Sequence, residues 1–254
     1  MKFSLFQYLI LLIFVPIFFF ILLMPNNLKA LNNMHSELSS VSLTLLNQMN
    51  NRCVQAAQLY PAKRYQEIVN MNLPIWATSP DTYIKLSTCR QTVEYLTASL
   101  TILNMFPEQE AVQRKEINLF PSRMDYPQFI AWIGLGDIAY HNHDWLEAGK
   151  DFSAANTMAL AISTSKNNIQ RSNIWNRMVT LVERYSKSKP LTEFIIEIQT
   201  ALPSFEYKQG LWIQIGLAYE HLNRFPEALA AYQNALQEEP NDPFLQEYIQ
   251  KIAK

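Results

Sequence analysis

The chain has 254 residues, a formal net charge of −1 and 49% hydrophobic residues, enough apolar material for one sizeable core or a short solenoid. It has no run of five or six like charges, which argues against a non-specific nucleic-acid binder, since that function needs a basic stripe. With only 5 Gly against 13 Pro, and no alternating runs bounded by Asn-Gly or Asp-Gly, a β-rich fold is disfavoured; helices separated by short punctuated turns are expected instead.

From Phe3 to Met24 no charge interrupts 22 positions, and 17 of them are Leu, Ile, Phe or Val. A spanning helix needs about 20 such residues. At roughly −0.3 to −0.6 kcal/mol each, the apolar residues contribute on the order of −5 to −10 kcal/mol as an upper bound. A transmembrane anchor over residues 1–24 is therefore expected. A cleaved signal peptide is the competing reading, with Leu28-Lys29-Ala30 as an imperfect cleavage site. Lys2 and the terminal amine, set against Lys29, place the amino end in the cytoplasm and the rest on the extracytoplasmic side.

Residues 25–121 read as helices of no assigned family. Leu31, Met34, Leu38, Val41 and Leu45 form a stripe, read as one face of an ordinary helix rather than an oligomerising stalk. This helix should run to Tyr60, where Pro61 stops it. A short helix is expected over 62–72, with Pro74 and Pro80 bracketing a loop. A second long helix is expected from Asp81 to about Phe106. Cys53 lies 8 residues before Pro61, and Cys89 lies 9 residues after Pro80. If the two helices pair antiparallel, a rise of about 1.5 Å per residue sets both cysteines at similar heights. A Cys53–Cys89 disulfide is then a candidate, and two unrelated buried thiols are the alternative.

The stretch Leu211 to Pro243 carries Trp212, Ile215, Gly216, Tyr219, Ala228, Tyr232, Ala235 and Pro240. Trp212, Ile215 and Tyr219 make one helical stripe. Gly216 and Ala228 are small where two helices approach, and Pro240 closes the second helix. This pattern resembles a tetratricopeptide repeat, a unit of about 34 residues folded as two antiparallel helices. A second copy lies at 129–162, with Trp132, Leu135, Gly136, Ala148, Phe152 and Ala155 on the same places. A degenerate unit at 172–205 stands between them, with helices expected at about 169–187 and 191–202, Pro190 at the turn, and 163–168 as the link. The segment from Pro243 to Ala253 fits a terminal capping helix.

The resemblance implies a concave groove lined by the first helices of the repeats. Its places fall on Ile133, Asp137, Tyr140 and His141 in the first copy, and on Ile213, Leu217, Glu220 and His221 in the last. Some members clamp a carboxyl-terminal peptide with Lys and Asn there. Ile133 and Ile213 now hold the Lys place, and Asp137 and Leu217 the Asn place, so that activity is not implied. A mixed apolar and polar groove suits an extended segment or helix of another protein. His141-Asn142-His143-Asp144 reads as a turn rather than a metal site. No phosphate loop or hydrolase motif is present.

The expected fold is all-α: an N-terminal transmembrane helix, then helical hairpins and a short tetratricopeptide-like α-solenoid, with divisions at 1–24, 25–121 and 122–254. The expected function is a membrane-anchored, single-pass, non-enzymatic scaffold binding another protein in a cell-envelope assembly or secretion complex. No cofactor, metal or nucleic acid is expected. A structural subunit of a membrane complex and an α-superhelical envelope hydrolase are the alternatives.

Overall fold

The structure is a computed structural model that describes residues 43–162 and 169–253. The chain divides into two compact units, residues 1–49 and 50–254. The described part of the first unit, 43–49, is helical. The expected membrane segment at 3–24, most of the Leu31–Leu45 stripe and the 163–168 link lie outside the described residues.

The expectation of a single-pass membrane protein is corrected. Among the described residues no helix is long and apolar enough to cross a membrane. The longest described helices of the second unit, Trp145–Ile162 and Ile169–Ser186, have 18 residues each. The first carries Glu147, Lys150 and Asp151; the second carries Arg171, Arg177, Glu183 and Arg184. Neither is suited to meet lipid all round: Ile169–Ser186 buries one face, and Trp145–Ile162 is enclosed by protein on most sides, with Asp151 to Asn156 all buried. The single-pass localisation loses its support with it, and so does the extracytoplasmic placement, which rests on the charges flanking that segment.

Described helices of the second unit run in chain order. They are α1 (residues 50–59), α2 (Tyr65–Thr78), α3 (Asp81–Leu86), α4 (Val93–Ile102), α5 (Phe106–Leu119) and α6 (Tyr126–His141). Then come α7 (Trp145–Ile162), α8 (Ile169–Ser186), α9 (Leu191–Ala201), α10 (Lys208–His221), α11 (Phe225–Glu238) and α12 (Pro243–Ile252). The degenerate unit folds as the hairpin α8–α9, with Pro190 at its turn. The terminal segment folds as α12, packed on α11.

One turn recurs through the unit. Lys63, Asn104, His143 and Asn223 each have φ near +60°. In each case the next residue's N–H donates five residues back: Arg64 to Leu59, Met105 to Leu100, Asp144 to Ala139 and Arg224 to Tyr219. This left-handed close satisfies carbonyls that a helix end leaves unpaired. It joins α1 to α2, α4 to α5, α6 to α7 and α10 to α11. Two residues on stands an aromatic, and two further a Glu: Tyr65/Glu67, Phe106/Glu108, Trp145/Glu147 and Phe225/Glu227.

Two details of the first third differ from the sequence expectation. The helix expected to stop before Pro74 runs through it to Thr78. An internal Pro costs about 3 kcal/mol or more, but stopping there would uncover Ile75 and Trp76, which are 5% and 1% exposed. Lys115 Nζ also donates to the Trp76 carbonyl. Second, the long helix expected over 81–106 is broken. Ser87 is extended, and its Oγ accepts from Cys89 N to open a 3₁₀ turn, Thr88–Arg90. Asn50 Oδ1 accepts from Thr88 N at 2.8 Å. The same turn brings Cys89 to Cys53, and the two are joined with Cα atoms 4.9 Å apart.

The main core lies between α6 and α12. Buried Phe152, Ile174, Met178, Tyr185, Phe194, Leu211 and Tyr232 contribute to it. Trp175 stacks on Tyr232 and meets Phe244 and Tyr248 of α12, with ring centroids 4.6–6.3 Å away.

Candidate protein-binding groove

The hairpins are held close by small residues at matched places. A Cβ on Gly136 would meet the Phe152 ring at 2.5 Å, and one on Gly216 would meet the Tyr232 ring at 2.5 Å. These approaches set α6 against α7 and α10 against α11; α10 also packs on α7, where Gln214 Nε2 donates to the Gly149 carbonyl at 2.8 Å.

The amino end of α6 is fixed by charge. Asp125 caps it by accepting from Gln128 N, and Arg90 donates two hydrogen bonds to the Asp125 carboxylate, each 2.7 Å. Arg90 Nε also lies 2.8 Å from Glu116 Oε1 of α5, close enough for an ion pair though not aligned as a hydrogen bond. Burial pushes the Glu116 carboxyl up to about 7 against the pull of Arg90. At Asp125 burial acts in the same direction, but the Arg90 hydrogen bonds outweigh it and hold that carboxyl below its ordinary value. The Arg90 segment, tied to α1 through Cys89, thus positions α6.

Three clefts follow one another across the first helices. A cleft of about 770 Å³ lies between α4 and α6, with Tyr60 and α5 completing it; it contains Ile133, Asp137, Tyr140 and His141. A smaller one of about 210 Å³ lies between α6 and α8 and shares Asp137 and Tyr140. A third, about 310 Å³, lies between α8 and α10 and contains Leu217, Glu220 and His221 beside Tyr248.

The eight expected groove residues differ in availability. Ile213 is fully buried in the core. Ile133 and Leu217 are buried but border clefts. Arg177 of α8 donates to both carboxylate oxygens of Asp137, at 2.9 and 3.0 Å. Tyr248 of the capping helix donates to the Glu220 carboxylate at 2.9 Å. Tyr140 is half-buried, and His141 and His221 are exposed. The groove face of the first copy is therefore the more open one.

Sequence reasoning missed part of the large cleft: Tyr60, Glu94, Tyr95, Phe106 and Gln113 all line it. The signal that could have found them is the recurring aromatic-x-Glu after each turn, which marks α4–α5 as a hairpin of the same kind.

A stack of helical hairpins with clefts along its first helices is an α-solenoid scaffold. Residues 211–242 match the family model of the tetratricopeptide repeat. The chain is a tetratricopeptide-repeat-containing protein, and such repeats generally mediate protein–protein interaction. No curated protein and no solved structure matches the chain.

Proposed function

We propose that the protein is a non-enzymatic scaffold that binds a segment of another protein along the clefts formed by α4, α6, α8 and α10. The observation that carries this reading is the large cleft, where Ile133, Asp137, Tyr140 and His141 come together on one wall. A mixed apolar and polar channel of this kind suits an extended segment or a helix. The Cys53–Cys89 bond supports an oxidising setting such as a cell-envelope assembly or secretion complex, since disulfides persist in such compartments. The test is crosslinked affinity purification of the full chain, with the captured protein identified, followed by the variant Tyr140→Ala with His221→Ala. Binding energy concentrates in a few aromatic or well-desolvated residues. The double variant should therefore lose the partner while its thermal transition stays nearly unchanged. Full capture by the double variant would remove the concave face from consideration.

A further inference from the structure

We infer that the cleft between α4 and α6 receives a basic side chain, lysine or arginine, from an extended partner segment. The inference rests on the groove reading and adds the charge of the partner to it. Two carboxylates, Glu94 and Asp137, belong to a lining that is otherwise apolar or neutral polar apart from His141. Glu94 is half-buried there and makes no ion pair among the described residues. Asp137 lies on the opposite wall, its charge shared with Arg177. Gln113 lines the cleft at 1% exposed, and its Oε1 accepts no hydrogen bond. Neither Lys nor Arg is among the lining residues.

Aromatic rings complete the arrangement. Tyr60 and Tyr95 stand with ring centroids 5.4 Å apart, and Tyr126 lines the same cleft near Glu94. Ring faces attract cations, by about 0.5–1 kcal/mol when exposed and more when desolvated. A half-buried carboxylate without a partner is unfavourable until a charge meets it. Burial accordingly pushes the Glu94 carboxyl up from its ordinary value. An N–H-bearing cation matches every one of these features. An acidic or purely apolar segment would leave the Glu94 carboxylate half-buried and unpaired.

Fluorescence anisotropy on the full chain tests this, with a fluorescein-labelled octapeptide alternating Lys and Leu as the probe. The controls are the same peptide with Glu, or with norleucine, in place of Lys. The Lys peptide should bind, more weakly as salt rises, and both controls should bind far less. Glu94→Gln should weaken the Lys peptide by about tenfold, since truncating one partner of a desolvated pair costs more than an exposed one. This isosteric change also removes a half-buried charge, so the melting temperature should hold or rise. Equal binding of the Glu or norleucine peptide, no binding of the Lys peptide, or an unchanged affinity in Glu94→Gln would overturn the inference. The groove reading survives that failure if Tyr140→Ala with His221→Ala still loses the captured partner.

Discussion

Asp151 shows how a single buried group sets a pH dependence. It lies on α7 at 3% exposure. Burial, helped by neighbouring Glu147, pushes its carboxyl up to about 8 from 3.8, while Arg114 and Lys150 pull it back only in part. The native state therefore holds this proton over a range where the unfolded chain has released it. Stability is unaffected below the unfolded value near 3.8 and is lost as pH rises from there towards about 8. Asp151→Asn removes that titration. Thermal melts of variant and wild type should nearly coincide at acidic pH and separate as pH rises, the variant being more stable at pH 8 by on the order of a few kcal/mol. Equal melting temperatures at alkaline pH would mean that the carboxylate is ionised there at no cost.

At the level of elements, close approach matters more than helix propensity. Ala in place of Gly ordinarily stabilises a helix by about 1 kcal/mol. Gly210 in α10 should reverse that sign. A Cβ there would lie 2.6 Å from Cα of Ser153 on α7. Backbone cannot rotate aside, and Ser153 is itself tied to α10, accepting from Leu211 N at 3.0 Å and donating to the Tyr207 carbonyl. Gly210→Ala should therefore cost about 1–3 kcal/mol by pushing α7 and α10 apart. Urea denaturation measures this; a variant as stable as the wild type would show that the two helices can separate freely. Gly216 faces the Tyr232 ring at a similar distance, but there a side chain, not backbone, receives the strain.

Across the whole stack, one polar network ties together helices far apart in sequence. Arg171 of α8 donates to Asn156 of α7 and to Asp242, which precedes α12. Gln209 of α10 donates to Asp242 at 2.8 Å and accepts from Asn156 at 2.7 Å. Asp242 also caps α12 by accepting from Leu245 N. All four side chains are at most 2% exposed. Asp242→Ala would leave the Arg171 guanidinium buried without its counter-charge, a loss of about 3–5 kcal/mol. Chemical unfolding should register it as one cooperative shift, because the network spans four helices. A loss below about 1 kcal/mol, the range of an exposed pair, would mean that water reaches Arg171.

The sequence by itself determined the helical class, the hairpins at 129–162 and 209–242, and the cap. There the small residues Gly136 and Gly216 and the small Ala148 and Ala228 recur at fixed distances from the turn, so the packing pattern can be read off one strand of text. The earlier hairpins keep the turn but only half the pattern. Ala56 and Thr97 stand where Gly136 and Gly216 do, seven residues before the left-handed position, and both are buried. Ile68 and Gln109, however, stand where Ala148 and Ala228 do. Both larger residues are buried all the same, Ile68 at 0% and Gln109 at 4% exposure, which no local spacing reveals. The same holds for groove availability: Asp137 is engaged by Arg177, 40 positions away, and Glu220 by Tyr248, 28 positions away. Only the stacking decided that Tyr60, Glu94 and Gln113 share a cleft with Tyr140, because hydrophobic periodicity fixes which face of a helix is buried, whereas the angle and order of stacking fix which exposed faces meet.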